Sequence, residues 1–174
     1  MIELNKKTQQ DFLNRKWVQK LLDAGVDMSD AKYHICHISI GNNEYKDYVT
    51  HKDSLYDIIT NINLSIDTSF CLYDEFPTYT VSELLYKLHE WIYPTIDGKQ
   101  FSGGLKFCKD APFYIFYYAL KTKDYVPNES GEYNEEYIYA EAEYPIESLA
   151  MLLIQCHKKD IGIKTKDTGD ISNK

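Results

Sequence analysis

The strongest constraint on the fold is a run of eight residues, 113–120, in which every side chain is apolar or aromatic. Its aromatic and β-branched content favours a strand, and aromatic residues on both faces are typical of a central strand. Residues 105–108 precede it across the short turn 109–112, so the two segments predict a β-hairpin. The chain must therefore build a sheet around this strand.

Four more segments carry strand patterns. Residues 33–40 are rich in β-branched and aromatic side chains, and residues 45–50 return as the second arm of a hairpin. Residues 69–74 predict a further strand. Residues 135–143 predict the last one, because larger and smaller side chains alternate along it.

Four segments predict helices: residues 8–24, residues 54–62, the segment from the start signal at residues 80–83 to Pro94, and residues 145–158. Gly25 follows the first helix, where a left-handed cap is needed. Thr80 and Glu83 have the spacing of a capping box, and Pro145 suits a first helical position.

The order of these elements indicates the fold class. Single helices mixed with hairpins favour an antiparallel α+β arrangement over a parallel βαβ series. We therefore predict a single α+β domain over residues 1–163, with a mostly antiparallel sheet packed against two to three helices. Residues 96–104 and 122–134 are predicted to be loops, and residues 164–174 a flexible polar tail.

Composition excludes several classes of protein. No run of about 18 apolar residues occurs, so we expect no membrane span. The start of the chain lacks the apolar segment of a secretory signal, so its four widely spaced cysteines are expected to be reduced thiols in the cytoplasm. Lys+Arg total 19 against 27 Asp+Glu, and Arg15 is the only arginine, which argues against direct nucleic-acid binding.

Metal binding is the first chemistry to consider, because His34, Cys36 and His37 carry side chains that zinc prefers. On a strand the first two share a face and His37 points the other way, so the three cannot converge without a bulge. No CxxC, HxH or HExxH spacing supports a site. We predict no metal and no cofactor.

Nucleophilic catalysis is also poorly supported. The cysteines lie in apolar stretches, where burial raises the thiol pKa and favours a packing role. Cys156 and His157 are adjacent on a helix and point about 100° apart. No GxSxG element is present, and the glycines at 103–104 lack the context of a phosphate loop. We therefore predict no catalytic residues.

Acidic residues are unevenly distributed along the chain. Eight of the 27 acids lie between Asp124 and Glu147, a stretch with no Lys or Arg. Subtracting them leaves 27 − 8 = 19 acids against 19 bases, so the rest of the chain is formally neutral. The excess negative charge of −8 is therefore localised.

This stretch predicts an interaction surface. Tyrosine supplies a wide contact area at low entropic cost, and a patch of one charge steers association with a positively charged protein. The alternative interpretation is a solvated strand face and loop. The predicted surface residues are Glu132, Glu135, Glu136, Tyr137, Tyr139, Glu141 and Glu143.

Three segments of the chain resemble known sequences: residues 21–31, 77–85 and 144–150. They cover a helix end and two helix starts. They are similar to segments of small uncharacterised proteins of Bacteroidetes phages and mobile elements. The resemblance implies an accessory protein that acts inside a bacterial cell, and it implies no activity and no site residues.

We therefore predict a non-enzymatic accessory protein, encoded by a phage or mobile element, that binds a host macromolecule through the acidic Tyr/Glu surface. The expected partner is a protein of basic character, with no membrane contact. The alternative is a small-ligand protein, for a nucleotide-like molecule, or a small enzyme with a site beside strand 113–120. A homodimer formed through an aromatic sheet face is a third possibility.

Overall fold

The aromatic run forms the strand Phe113–Thr122, which is hydrogen-bonded to a neighbouring strand on each side. The computed structural model describes residues 1–5, 8–41, 43–54, 60, 71–96, 98–122, 136–159 and 161. The chain divides into two compact units, residues 1–83 and residues 84–174. Each unit contains one antiparallel sheet.

The first unit combines a four-stranded sheet with helix α1. Its elements are β1 (Ile2–Glu3), a 3-10 turn (Thr8–Gln10), α1 (Arg15–Asp23), β2 (Tyr33–Gly41), β3 (Glu44–His51), a second 3-10 turn (Lys52–Ser54) and β4 (Cys71–Thr78). The strand order is β1-β3-β2-β4. Phe12, Ile35 and Val49 form a buried cluster against this sheet.

The second unit follows the boundary inside helix α2 (Val81–Lys87). Its other elements are β5 (Trp91–Ile92), β6 (Thr95–Ile96), β7 (Lys99–Asp110), β8 (Phe113–Thr122), β9 (Glu136–Ala142) and α3 (Pro145–Lys158). The strand order is β5-β7-β8-β9, and β6 pairs with β7. The α+β prediction with antiparallel sheets is confirmed.

Short-range sequence signals located several boundaries correctly. Gly25 follows α1 with φ +85°. The capping box forms as predicted: the Glu83 carboxylate accepts a hydrogen bond from the Thr80 N–H at 2.8 Å, and the Thr80 hydroxyl accepts one from the Glu83 N–H at 3.2 Å. Pro145 occupies the first turn of α3, and the predicted hairpins form between β2 and β3 and between β7 and β8.

The helix predicted over residues 8–24 is wrong at its start. Asn14 is the N-cap of α1, and its side chain accepts a hydrogen bond from the Trp17 N–H at 3.3 Å. The Leu13 N–H donates to the Tyr79 carbonyl at 3.1 Å. Because the backbone before Asn14 pairs with a distant segment, it does not extend the helix.

The helix predicted to continue to Pro94 ends early, at Lys87. Trp91 and Ile92 instead pair with Gly104 and Gly103 in β7. The partner residues belong to a later strand, so the helical spacing of the apolar residues before Pro94 did not indicate this pairing. The long-range strand pairing replaces the last turns of the helix.

The loop predicted over residues 96–104 is also wrong, because β7 already begins at Lys99. A Cβ atom on Gly103 would lie 2.6 Å from the Ala119 carbonyl oxygen of β8. Here glycine permits the close approach of two strands, whereas the sequence pattern suggested a flexible connection.

Some predictions lie outside the described residues. These are most of the helix at 54–62, most of the linker at 122–134 and the whole tail at 164–174. The chain forms two compact units by its internal contacts. That they act as one domain over residues 1–163 stays a prediction.

Candidate functional site

The two sides of strand β9 have different surroundings. Ile138 and Ala140 are buried, whereas Tyr139 between them is 57 % exposed and Glu141 is exposed. Glu143, just beyond the strand, is exposed as well. Since successive side chains of a strand point to opposite faces, Tyr139 and Glu141 lie on the face opposite Ile138 and Ala140.

Helix α3 covers the buried side. Ser148, which is itself fully buried, accepts a hydrogen bond from the Phe116 N–H at 3.3 Å and donates one to the Ala140 carbonyl at 2.7 Å. Near the end of the helix, the Gln155 side-chain amide donates to the Tyr139 carbonyl at 2.9 Å. These bonds anchor α3 to β8 and β9, so the orientation of β9 is fixed.

The strand register extends the exposed face across the sheet. Tyr139 is paired with Tyr117 and Glu141 with Ile115. Tyr117 is in turn paired with Lys106 of β7, and Ile115 with Cys108. Residues directly opposite each other in antiparallel strands share a face. Two rows of three side chains therefore cross the sheet from β9 to β7. One ends at Lys106 and the other at Cys108.

Trp91 completes this face at its other edge. It is paired with Gly104, and a Cβ atom on that glycine would lie 3.4 Å from the indole ring. Gly104 and Lys106 share a face because they are two residues apart on β7. The indole therefore lies over the backbone of Gly104 and is 58 % exposed.

We name this surface the open face. It comprises the side chains of Trp91, Lys106, Cys108, Ile115, Tyr117, Tyr139 and Glu141. Trp91 at one edge of this face and Tyr139 at the other are each more than half exposed, and exposed apolar groups gathered on one face often mark an interaction site. Aromatic side chains together with a charged group on the edge strand β9 are suited to contact with another protein.

The predicted surface residues are only partly placed. Tyr139, Glu141 and Glu143 are exposed together at the β9 edge, as the alternation predicted. Glu136 and Tyr137 lie in β9 at the positions paired with Leu120 and Ala119. Glu132 and Glu135 lie outside the described residues. Within the described part of the chain, no basic side chain forms an ion pair with Glu141 or Glu143.

Sequence reasoning missed Trp91, Lys106 and Cys108 as members of the surface. Their positions depend on long-range pairing with β7 and β8. The one available signal was the pair of glycines at 103–104, which marks a close approach of backbone or of a large side chain within a strand.

The histidines of β2 have separate environments. His37 is bonded through Nδ1 to Asp47 Oδ1 at 2.6 Å, and its ring stacks on Tyr45 with centroids 5.0 Å apart. His34 lies at the position paired with Pro77 and Thr50. Among the described residues, no three His, Cys, Asp or Glu side chains are placed to hold a metal ion.

Two cysteines have the buried setting predicted for them. Burial, with a smaller effect of Glu75, raises the pKa of Cys36 to about 11, and burial raises the pKa of Cys156 to about 12. The prediction of a core role is wrong for Cys108, which is exposed. Its apolar neighbour Phe107 is itself 54 % exposed, so the apolar stretch that predicted burial lies at the surface here.

In the part of the chain that the structure describes, no helix is long and apolar enough to cross a membrane. Comparison with known proteins found no matching family model, no matching curated protein and no matching solved structure.

Proposed function

We propose that this chain is a non-enzymatic binding protein whose contact surface for another protein is the open face together with Glu143. One observation carries the proposal. On the sheet face opposite the one where α3 packs against β8 and β9, Trp91 and Tyr139 are each more than half exposed. The bacterial accessory role and the phage or mobile-element origin implied by the resemblance belong to the same proposal.

The side-chain types on this surface support a protein partner. Tyrosine and tryptophan are enriched at protein interfaces because they bury a large area while losing few rotamers. Ile115 and Tyr117, half-buried between the exposed groups, extend the apolar contact across β8. A partner that covers these side chains would remove apolar surface from water.

Charge supports a partner that is basic where it meets β9. Glu141 and Glu143 lie at this edge, within the stretch of eight acids that carries the whole charge excess. Opposite charges across an interface mainly accelerate association and select the partner. We therefore expect lysine or arginine side chains of the partner to face Glu141 and Glu143.

The exposed thiol of Cys108 allows a direct test. A photoreactive benzophenone maleimide on Cys108 is expected to cross-link the partner in a cell lysate, because this thiol lies within the proposed contact surface. The control carries C108S and K158C, which moves the probe to an exposed position at the end of α3. Recovery of the same proteins from both positions would contradict the proposal.

Two sets of variants separate the contributions to binding. We expect E141K/E143K to weaken recovery of the cross-linked partner about tenfold, the size of a lost charge-assisted contact. The matched control is E90K, which reverses another exposed acid of the second unit. Equal recovery with E141K/E143K and with E90K would exclude the acidic edge as a contact.

The same surface admits a second copy of the chain as its occupant. Native mass measurement of the purified protein distinguishes this case, because a dimer that Y139S dissociates needs no other protein. A Y86S variant is the control, since Tyr86 is also largely exposed but belongs to α2.

A further inference from the structure

A groove in the first unit has no role in the proposed function. It has a volume of about 440 Å³ and lies where the end of α1 and the following turn meet the ends of β2 and β4. Leu22, Val26, Met28 and Pro77 provide apolar walls, and His34 and Lys52 provide polar groups. Its volume is in the range of small-molecule sites, about 300–1,000 Å³.

The His34 imidazole in this groove has an unusual environment. Its Nδ1 atom is buried and has no hydrogen-bond partner among the described residues. The nearest carboxylate oxygen, Glu75 Oε2, lies 3.9 Å away, which is too far for a hydrogen bond. Most buried polar atoms of side chains are bonded, so this imidazole, which lines the groove, is unusual in carrying an unbonded ring nitrogen.

Lys52 places a positive charge on the same groove. Its ammonium donates a hydrogen bond to the Ser29 carbonyl at 3.3 Å and forms no ion pair with another described residue. The Asp27 carboxylate, also in the lining, accepts hydrogen bonds from the Ser29 N–H and hydroxyl at 2.9 and 3.0 Å. The acid of the lining is therefore bonded to its own turn.

We propose that this groove binds a small organic carboxylate with a short apolar body. The ligand's carboxylate meets the Lys52 ammonium and the imidazole of His34, and its apolar part lies on Leu22, Val26, Met28 and Pro77. Burial, opposed in part by Glu75, lowers the pKa of His34, so the imidazole is neutral at pH 7 and can donate one hydrogen bond to an anion. This site is independent of the open face.

Titration of the full chain with hexanoate, followed by amide and imidazole NMR, tests the proposal. We expect saturable shifts of the His34 ring signals and of the Val26 and Met28 amides. Hexanamide has the same shape without the charge, and we expect it to bind about tenfold more weakly, the effect of one charge-assisted hydrogen bond. Shifts that do not saturate, or equal affinity for both probes, would overturn the proposal.

Variants of the two polar groups give the second part of the test. K52Q is expected to remove most of the preference for hexanoate, whereas K32Q, at another exposed lysine of the first unit, is expected to keep it. H34F fills a similar volume without a polar atom and is expected to weaken both probes. If K32Q and K52Q reduce the preference for hexanoate equally, the anion is attracted by positive charge in general and the proposed site is wrong. Amide spectra that match the unsubstituted chain show that each variant is folded.

Discussion

The two faces of the second sheet are made from the same strands but differ in their surroundings. On one face, Ile138 and Ala140 of β9 are buried beneath α3, and Ser148 of the helix bonds to the backbone of two strands. On the other face, Tyr139 and Trp91 are more than half exposed. Both faces carry aromatic rings, but Phe116 and Tyr118 of the covered face are buried, whereas the rings of Trp91 and Tyr139 lie largely in water.

This difference separates the residues that stabilise the fold from the residues that are available for binding. Removing apolar surface from water stabilises the fold only where the surface is covered in the monomer, so the covered face provides most of that stabilisation. The aromatic area of the open face remains available for a partner. Substitutions on the two faces are therefore expected to have opposite consequences for folding and for association.

The largest effect is expected from L149A, on the covered face. Leu149 is fully buried in α3, and truncation of a buried leucine costs about 2–5 kcal/mol of unfolding free energy. Y139S, on the open face, is expected to cost less than about 1 kcal/mol, because much of the ring is already in water. Urea denaturation monitored by circular dichroism measures both values.

The variants L149A and Y139S also distinguish the two faces in binding assays. Y139S is expected to lower recovery of the cross-linked partner while L149A, where it remains folded, leaves it unchanged. If Y139S destabilised the chain as much as L149A, the tyrosine would have a structural role and the contrast between the faces would be lost.

The second largest effect is expected from G103A, compared with G104A. A methyl group on Gly103 would lie 2.6 Å from the backbone oxygen of Ala119, so β7 and β8 would have to separate, at a cost of about 1–3 kcal/mol. A methyl group on Gly104 would meet the Trp91 ring at 3.4 Å, an ordinary contact, so we expect a change within about 0.5 kcal/mol. Equal melting temperatures for the two variants would show that the strands adjust easily.

These glycines also show how far the sequence predicted the fold. Strand and helix segments with local signals were predicted correctly: the capping box of Thr80 and Glu83, the cap at Gly25 and the alternation along β9. The end of α2 and the start of β7 were predicted wrongly. Both depend on pairing between residues 91–92 and 103–104, which is a contact that no local pattern encodes.

The candidate surface was predictable to a similar degree. Alternation along one strand placed Tyr139 and Glu141 on the same face, and the structure places them there. Lys106, Cys108 and Trp91 join them only through the register of three other strands. A sequence gives the side chains of one strand face, but neighbouring strands determine which other residues complete the surface.

A smaller loss is expected from S148A, which removes one hydroxyl from the covered face. The Ala140 carbonyl and the Phe116 N–H would lose their bonds to this side chain in a buried setting. The expected cost is about 1–2 kcal/mol, since unsatisfied buried groups lose solvation. S82A, at an exposed position of α2, is the control and should be close to neutral. A neutral result for S148A would mean that the backbone groups find other partners.

The smallest change in stability is expected from C108S, because this thiol is exposed on the open face. The Cys108 thiol of the unsubstituted chain is instead a probe of reactivity, to be compared with the buried thiol of Cys156 in α3. Burial disfavours the thiolate and raises the pKa of Cys156 to about 12, so at pH 8 its thiolate fraction is on the order of 10⁻⁴. Maleimide should therefore modify Cys108 before Cys156, as peptide mapping by mass spectrometry would show.

Raising the pH tests the difference in reactivity between Cys108 and Cys156 further. The thiolate of Cys156 increases about tenfold for each pH unit below its pKa, but burial also blocks the reagent. We therefore expect Cys156 to stay unmodified at pH 9 and to react only when the second unit unfolds. Rapid modification of Cys156 under native conditions would show that α3 leaves the sheet readily. The covered and open faces would then differ much less in solution than their burial indicates.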